Sequence, residues 1–189
     1  MKTLRCMLVV LGLSVSIFAQ SLDLGNSIFY NGEGDINLLV DARVAVQNMD
    51  SPYVMFVLYM STDDNVSAKV KREDVVLIHG DKEYNMPSVS ELRENYRGDI
   101  KDYNFYSRLP LDVVALSEMR FFQFDFSLDF FPVRSSGRIP VDQGYMSGRF
   151  GFKSTVYFKN PGFKKGDLIG IKVKDEKDPE IWGGVGIQL

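Results

Sequence analysis

One cysteine, one histidine and one tryptophan are all that 189 residues hold of three residue types on which many functional sites depend. They are Cys6, His79 and Trp182. Zinc sites in proteins draw on several His and Cys ligands, so this supply argues against one. A Ser–His–Asp system would have to be built on His79, and a Cys–His system has only Cys6 to offer. His79 stands where an apolar run meets a turn and reads as a strand-end histidine. A basic excess is also lacking, with 22 Lys and Arg against 25 Asp and Glu. Nucleic-acid binding needs a basic face to displace counterions, so no nucleic-acid partner is expected. No internal repeat or low-complexity tract is present, and disorder is not the reading for the bulk of the chain. No cofactor is expected.

The N-terminus carries its own pattern. Lys2 and Arg5 precede the uncharged run Cys6–Phe18, and Ala19 follows as a small residue. Basic start, apolar run and small residue together read as a cleaved export signal, residues 1–19. Cleavage follows Ala19 or, alternatively, Ser21. A membrane anchor takes roughly 20 apolar residues, and this run is about a third shorter. Cys6 directly follows Arg5, so no apolar stretch precedes it as a lipid-attached cysteine requires. The expectation is therefore a soluble periplasmic or extracellular protein, not lipid-anchored, with no membrane span after signal cleavage.

Removing nineteen of 189 residues leaves 170, a normal length for one domain, residues 20–189. Lys2 and Arg5 leave with the signal, so 22 basic residues become 20 against 25 acidic and the net charge moves from −3 to −5. The cysteine leaves too. A domain without disulfides must hold together by burying apolar area, and 14 Phe and 9 Tyr supply it.

Apolar periodicity then predicts strands. Phe122, Phe124, Phe126, Leu128 and Phe130 alternate with polar residues, a period of two that puts them on one face. Ile36 to Val46 repeats the pattern. Tyr53 to Met60 is apolar on both faces, as a strand covered on two sides would be. Val66–Val70, Asp74–His79, Val156–Phe158, Leu168–Val173 and Ile181–Leu189 complete about eight strands. Asp63-Asp64-Asn65, Gly80-Asp81, Pro161-Gly162 and Asp175 to Pro179 carry turn chemistry between them. One short helix is expected, with Ser88 and Glu91 as its capping box, Val89, Leu92 and Tyr96 on one face and Gly98 as its stop. The fold class is mainly β: an antiparallel immunoglobulin-like β-sandwich with one short helix, a β-barrel being the alternative.

The segment Arg72 to Tyr84 (REDVVLIHGDKEY) resembles the strand–turn–strand of small immunoglobulin-like extracellular domains of the DUF4352 type. Val76, Leu77, Gly80, Lys82, Glu83 and Tyr84 stand in similar places, while His79-Gly80-Asp81 departs from the acidic residue and later glycine usual there. The resemblance spans about thirteen residues. It implies an immunoglobulin-like fold and an extracellular setting, and brings no catalytic residues with it.

Candidate sites are few. Asp125 and Asp129 share the polar face of the phenylalanine strand. Four residues of strand would separate them by roughly 13 Å, beyond the about 5–9.5 Å between carboxyl groups of glycosidase pairs. Asp63-Asp64-Asn65 and Asp175-Glu176-Lys177-Asp178 lack the spacing of a calcium loop and read as turns. Arg97-Gly98-Asp99 is an adhesion-type tripeptide whose glycine already serves the helix end. Asn65-Val66-Ser67 fits a glycosylation acceptor. Phe121 and Phe131 bracket the phenylalanine strand, and Tyr96, Tyr103, Phe105 and Tyr106 crowd the segment after the helix. Most large aromatics bury themselves. The polar-aromatic connector Asp99–Leu109 is nevertheless the preferred interaction surface, carried by Tyr103, Phe105 and Tyr106. The functional expectation is an exported, non-catalytic binding module of unknown ligand, its partner a protein or an envelope component. The alternatives are a secreted glycosidase-like hydrolase using carboxylates from different strands, and a structural accessory domain of an envelope assembly.

Overall fold

The computed structural model of the protein describes residues 21–110, 119, 123–125, 129–148 and 150–189, with 123–125 as backbone only. The expected export signal, residues 1–19, and Phe121, Phe122, Phe126 and Leu128 lie outside the described residues.

The chain is mainly β. Among the described residues the strands are β1 (Leu22–Gly25), β2 (Ile28–Asn31), β3 (Ile36–Asp41), β4 (Tyr53–Thr62), β5 (Ser67–Lys71), β6 (Val75–His79), β7 (Lys82–Asn85), β8 (Gln123–Asp125), β9 (Gln143–Ser147), β10 (Phe150–Lys159), β11 (Leu168–Lys174) and β12 (Trp182–Gln188). Three helices join them: α1 (Arg43–Gln47), α2 (Val89–Asn95) and α3 (Asp99–Tyr106). None of the described helices is long and apolar enough to cross a membrane. One sheet runs antiparallel in the order β1-β2-β3-β4-β10-β9-β5, with β8 added in parallel beside the start of β10. The other is antiparallel in the order β12-β11-β6-β7.

The centre of the larger sheet is the long pair β4 and β10, in register from Tyr53↔Lys159 to Met60↔Phe152. Every residue of β4 is buried, which accounts for its apolar character on both faces. Phe56 and Phe158 belong to the side facing the core, their rings edge-on at 6.3 Å. Tyr59 and Tyr157 alternate onto the opposite side, where α3 covers the sheet. The buried side chains of both sheets form one continuous cluster, from Ile28 and Val40 through Phe56 and Phe158 to Ile171 and Val185.

Polar contacts tie the two sheets at both margins. The Asn31 side chain donates to the Gly184 carbonyl at 2.7 Å. A Cβ on Gly183 would overlap the Ile36 carbonyl oxygen, so glycine is what lets β12 lie this close to β3. On the far side, the Lys69 amide donates to Asp175 at 2.7 Å and the Glu176 amide to the Lys69 carbonyl at 2.8 Å. In the edge strand β5 the amide and carbonyl of Lys69 are thereby occupied by the turn between β11 and β12.

Several expectations are corrected. The alternation from Ile36 to Val46 does not continue as one strand. Asp41 turns its carboxylate onto the Arg43 amide at 3.1 Å and the chain enters α1, a competition that short acidic side chains commonly win. Of the strand expected over Phe122–Phe130, the described part is Gln123–Asp125. At Asp129 the chain has left the ladder, because its carboxylate accepts the Phe131 amide and the Phe130 amide is taken by Ser154 Oγ. Among the described residues there are three α-helices in place of one, and eleven antiparallel strands plus β8 in place of about eight. The connector Asp99–Leu109 is largely α3. Gly98 does not stop α2, which ends at Tyr96 in extended conformation; it opens α3 instead. The strand–turn–strand over Arg72–Tyr84 is present as β6, the Gly80-Asp81 turn and β7.

Ser88 caps α2 as expected, its Oγ accepting the Glu91 amide at 3.1 Å. Replacing it with alanine leaves a first-turn amide without its acceptor. Ser88→Ala is expected to cost about 1 kcal/mol, read in urea unfolding as a lower midpoint with an unchanged slope.

Candidate functional site

Lys153 interrupts the apolar run of β10, and the site grows from that interruption. With Thr155 and Tyr157 it shares the face of β10 that α3 covers. Its neighbour across the strand pair is Tyr59. The Lys153 ammonium lies 5.3 Å from the Tyr59 ring centre and 4.7 Å from that of Tyr106, which α3 holds above it. The two phenols are joined at 3.1 Å. The charge thus sits against two negative ring faces.

Around it opens a cleft of about 270 Å³, lined by Tyr103, Tyr106 and Ser107 of the α3 end, Lys153, Ser154 and Thr155 of β10, Asp129 and Arg138. Asp129 accepts hydrogen bonds from the Thr155 hydroxyl and the Phe131 amide. Burial holds the Asp129 carboxyl above the usual carboxylate range, with those donors and Arg138 opposing the shift. Burial likewise pushes Lys153 below the ordinary lysine range, opposed by the carboxylates of Asp41 and Asp129. Tyr59 and Tyr106 are raised, chiefly by desolvation, so both stay protonated at neutral pH.

The sign of the lysine shift gives a measurable consequence. The folded chain holds the Lys153 proton less tightly than the unfolded chain does, so stability rises with pH from the folded value to the ordinary lysine value, near 10.4. Lys153→Met removes that term. The stability of wild type minus that of Lys153→Met is expected to increase on going from pH 8 to 10.5, measured by urea unfolding. A flat difference refutes the burial of this amine.

A second polar cluster lies deeper, under α2 and α3. Asp102, 2% exposed, accepts from the Tyr96 hydroxyl at 2.9 Å, the Tyr157 hydroxyl at 3.4 Å and the Asn48 amide at 3.0 Å. Burial raises the carboxyl above its usual range against the pull of the two phenols. This network fastens the helices to the sheet and thereby sets the height of Tyr103 and Tyr106 over Lys153. The adjoining cavity, beside Asp99, Tyr96 and Phe131, measures about 10 Å³ and has no room for a ligand.

The residues singled out by sequence distribute unevenly. Tyr103, 45% exposed, stands at the cleft mouth, and Tyr106 lines its wall. Phe105 packs against the hydrophobic core and is not among the cleft residues. His79 ends β6, its Nε2 3.2 Å from an Asp167 carboxylate oxygen and its ring edge-on to Phe163 at 5.3 Å. The turns hold their acids internally: Asp63 accepts from Asn37, and Asp175 from the amides of Lys69, Lys177 and Asp178. In Arg97-Gly98-Asp99 the aspartate is 8% exposed, buried at the start of α3, so the tripeptide is not displayed as an adhesion loop would be. Asn65 is exposed in its turn. Phe131 is buried, and Trp182 lies half-buried beneath the Lys172 ammonium at 5.2 Å. Asp125 is described by its backbone alone, opposite Phe152. Among the described residues, no three His, Cys, Asp or Glu side chains gather as metal ligands would.

Sequence reasoning passed over Lys153, Thr155 and Arg138, and weighed Asp129 only as a partner of Asp125. A lysine among the aromatic residues Phe150, Phe152, Tyr157 and Phe158 of one strand was the available signal. Compared with known proteins, the chain matches no family model, no curated protein and no solved structure.

Proposed function

We propose that this protein is an exported, non-catalytic binding module whose two sheets pack as a sandwich and whose ligand sits in the cleft over Lys153. The observation that carries this reading is the cleft itself: a half-buried ammonium, a carboxylate, hydroxyls and an exposed tyrosine converge on one space. Small-molecule sites have this mixed character, a few placed polar groups in a partly apolar concavity. The sandwich is supported by the shared core of the two sheets, and its immunoglobulin-like character by the resemblance of Arg72–Tyr84. Export rests on the pattern of residues 1–19. A binding role is preferred to hydrolysis because Asp129 is the one carboxylate in the described lining, whereas glycosidases commonly use a pair. The ligand is then a small molecule or a terminal unit of envelope material.

The test is calorimetric. The chain is titrated with neutral sugars, acidic sugars, amino acids, dicarboxylates and short peptides, alongside Ser107→Trp, which fills the cleft from its exposed rim. At least one class is expected to bind the wild type and to lose binding in the plugged variant. Binding that survives the plug, or turnover of any compound, contradicts the proposal.

A further inference from the structure

We infer that the ligand of this cleft is an acidic sugar, a sugar ring bearing a carboxylate, an inference that rests on the cleft being a binding site. Charge is the first reason. The lining contributes Lys153 and Arg138 against Asp129, a surplus of one positive charge facing the space a ligand would fill. Lys153 is held beneath Tyr106 and beside Tyr59, so an oxyanion that reaches it meets an ammonium partly shielded from water.

The second reason is the carboxylate. A ligand with only acidic groups would set an anion against Asp129. Ring hydroxyls donate to that carboxylate while the acid group takes Lys153 and Arg138, so one molecule answers both signs. Hydroxyl-bearing residues make up the rest of the wall: Ser107, Ser154, Thr155 and the two tyrosines. A zwitterionic amino acid also offers a donor and an acceptor, but being net neutral it leaves the surplus charge unanswered.

Size and shape agree. About 270 Å³ is just below the roughly 300–1,000 Å³ of small-molecule sites, which suits one ring rather than a chain of them. Tyr103, 45% exposed at the mouth, presents a rigid flat face on which the apolar side of a sugar ring can lie.

The experiment is calorimetric titration of the full chain with D-glucuronate and D-galacturonate, against D-glucose, acetate and L-glutamate. Wild type, Lys153→Met and Tyr103→Ala are compared. At least one uronate is expected to bind tenfold or more tightly than the three comparison compounds. Lys153→Met is expected to weaken it at least tenfold, and 0.5 M NaCl to weaken it severalfold. Should Lys153→Met fail to fold, Arg138→Gln and Tyr103→Ala, both at exposed positions, carry the same test at several-fold reductions. Glucose or glutamate binding as tightly as both uronates, or a uronate insensitive to these variants, overturns the acidic-sugar inference and leaves the cleft a binding site. Absence of uronate binding overturns it as well. The binding-module reading falls separately, if nothing in the wider panel binds in a way that Ser107→Trp abolishes.

Discussion

Phe56→Ala is expected to lower the unfolding free energy by about 3–5 kcal/mol, the usual range for removing a buried phenylalanine from a core that cannot close over the gap. Phe56 is wholly buried in the middle of β4, opposite Val156 of β10 and edge-on to Phe158. Four neighbouring core positions on these strands, Val54, Leu58, Val156 and Phe158, are themselves fully buried and held by ladder hydrogen bonds, so collapse is restricted. Phe56→Leu retains most of the volume and is expected to cost less than about 1.5 kcal/mol. Urea unfolding by circular dichroism measures both. A loss below about 1.5 kcal/mol for alanine contradicts close packing between the sheets at this point.

Asp102→Ala is the second large effect. The substitution leaves the Tyr96 hydroxyl, the Tyr157 hydroxyl and the Asn48 amide without their common acceptor in a buried site. Each stranded donor costs about 1–3 kcal/mol, while relief of the buried carboxyl, whose ionisation burial disfavours, returns part of this. The net expected loss is about 2–4 kcal/mol, a fall in Tm of roughly 4–16 °C for a chain of this size. Tyr157→Phe added to Asp102→Ala is expected to cost less than it does alone, because the phenol has already lost its partner. Strict additivity of the two contradicts the network. Because the folded Asp102 carboxyl binds its proton more tightly than the unfolded one, wild-type stability from this residue is greatest below the unfolded value, near 4, and declines as pH rises through the raised folded value. Asp102→Ala removes that slope.

How much of this was legible in the sequence depended on whether a residue's setting was local. β4 was plain because covering both faces of a strand leaves it no polar positions, and Tyr53–Met60 has none. The α2 cap was plain because Ser88 and Glu91 meet within one turn. Alternation misled where a side chain competed for the backbone: Asp41 ends one periodic run, and Asp129 stands outside the ladder in the other. β1, β2 and β9 are four or five residues long and owe their pairing to neighbours, such as Ala68↔Met146 between β5 and β9. Their own composition carries little period.

The site divides the same way. Tyr103 and Tyr106 were visible as aromatics crowded on one segment, although the segment proved to be a helix whose Phe105 turns inward. Lys153 and Asp129 became neighbours only because Asp129 stands outside the ladder, bonded to Thr155, and α3 is seated over β10. Those are long-range events, and no spacing along the chain announces them.

The central claim, that this protein binds through the cleft beside Lys153, is tested most directly by amide chemical-shift mapping of the chain during titration with D-glucuronate and the wider panel. The expected result is saturable shifts clustered at Tyr103, Tyr106, Ser107, Asp129, Lys153 and Thr155. Shifts gathered instead on the exposed aromatics Tyr145 and Phe150 of the neighbouring strands β9 and β10, 62% and 65% exposed, with the cleft silent, would contradict it.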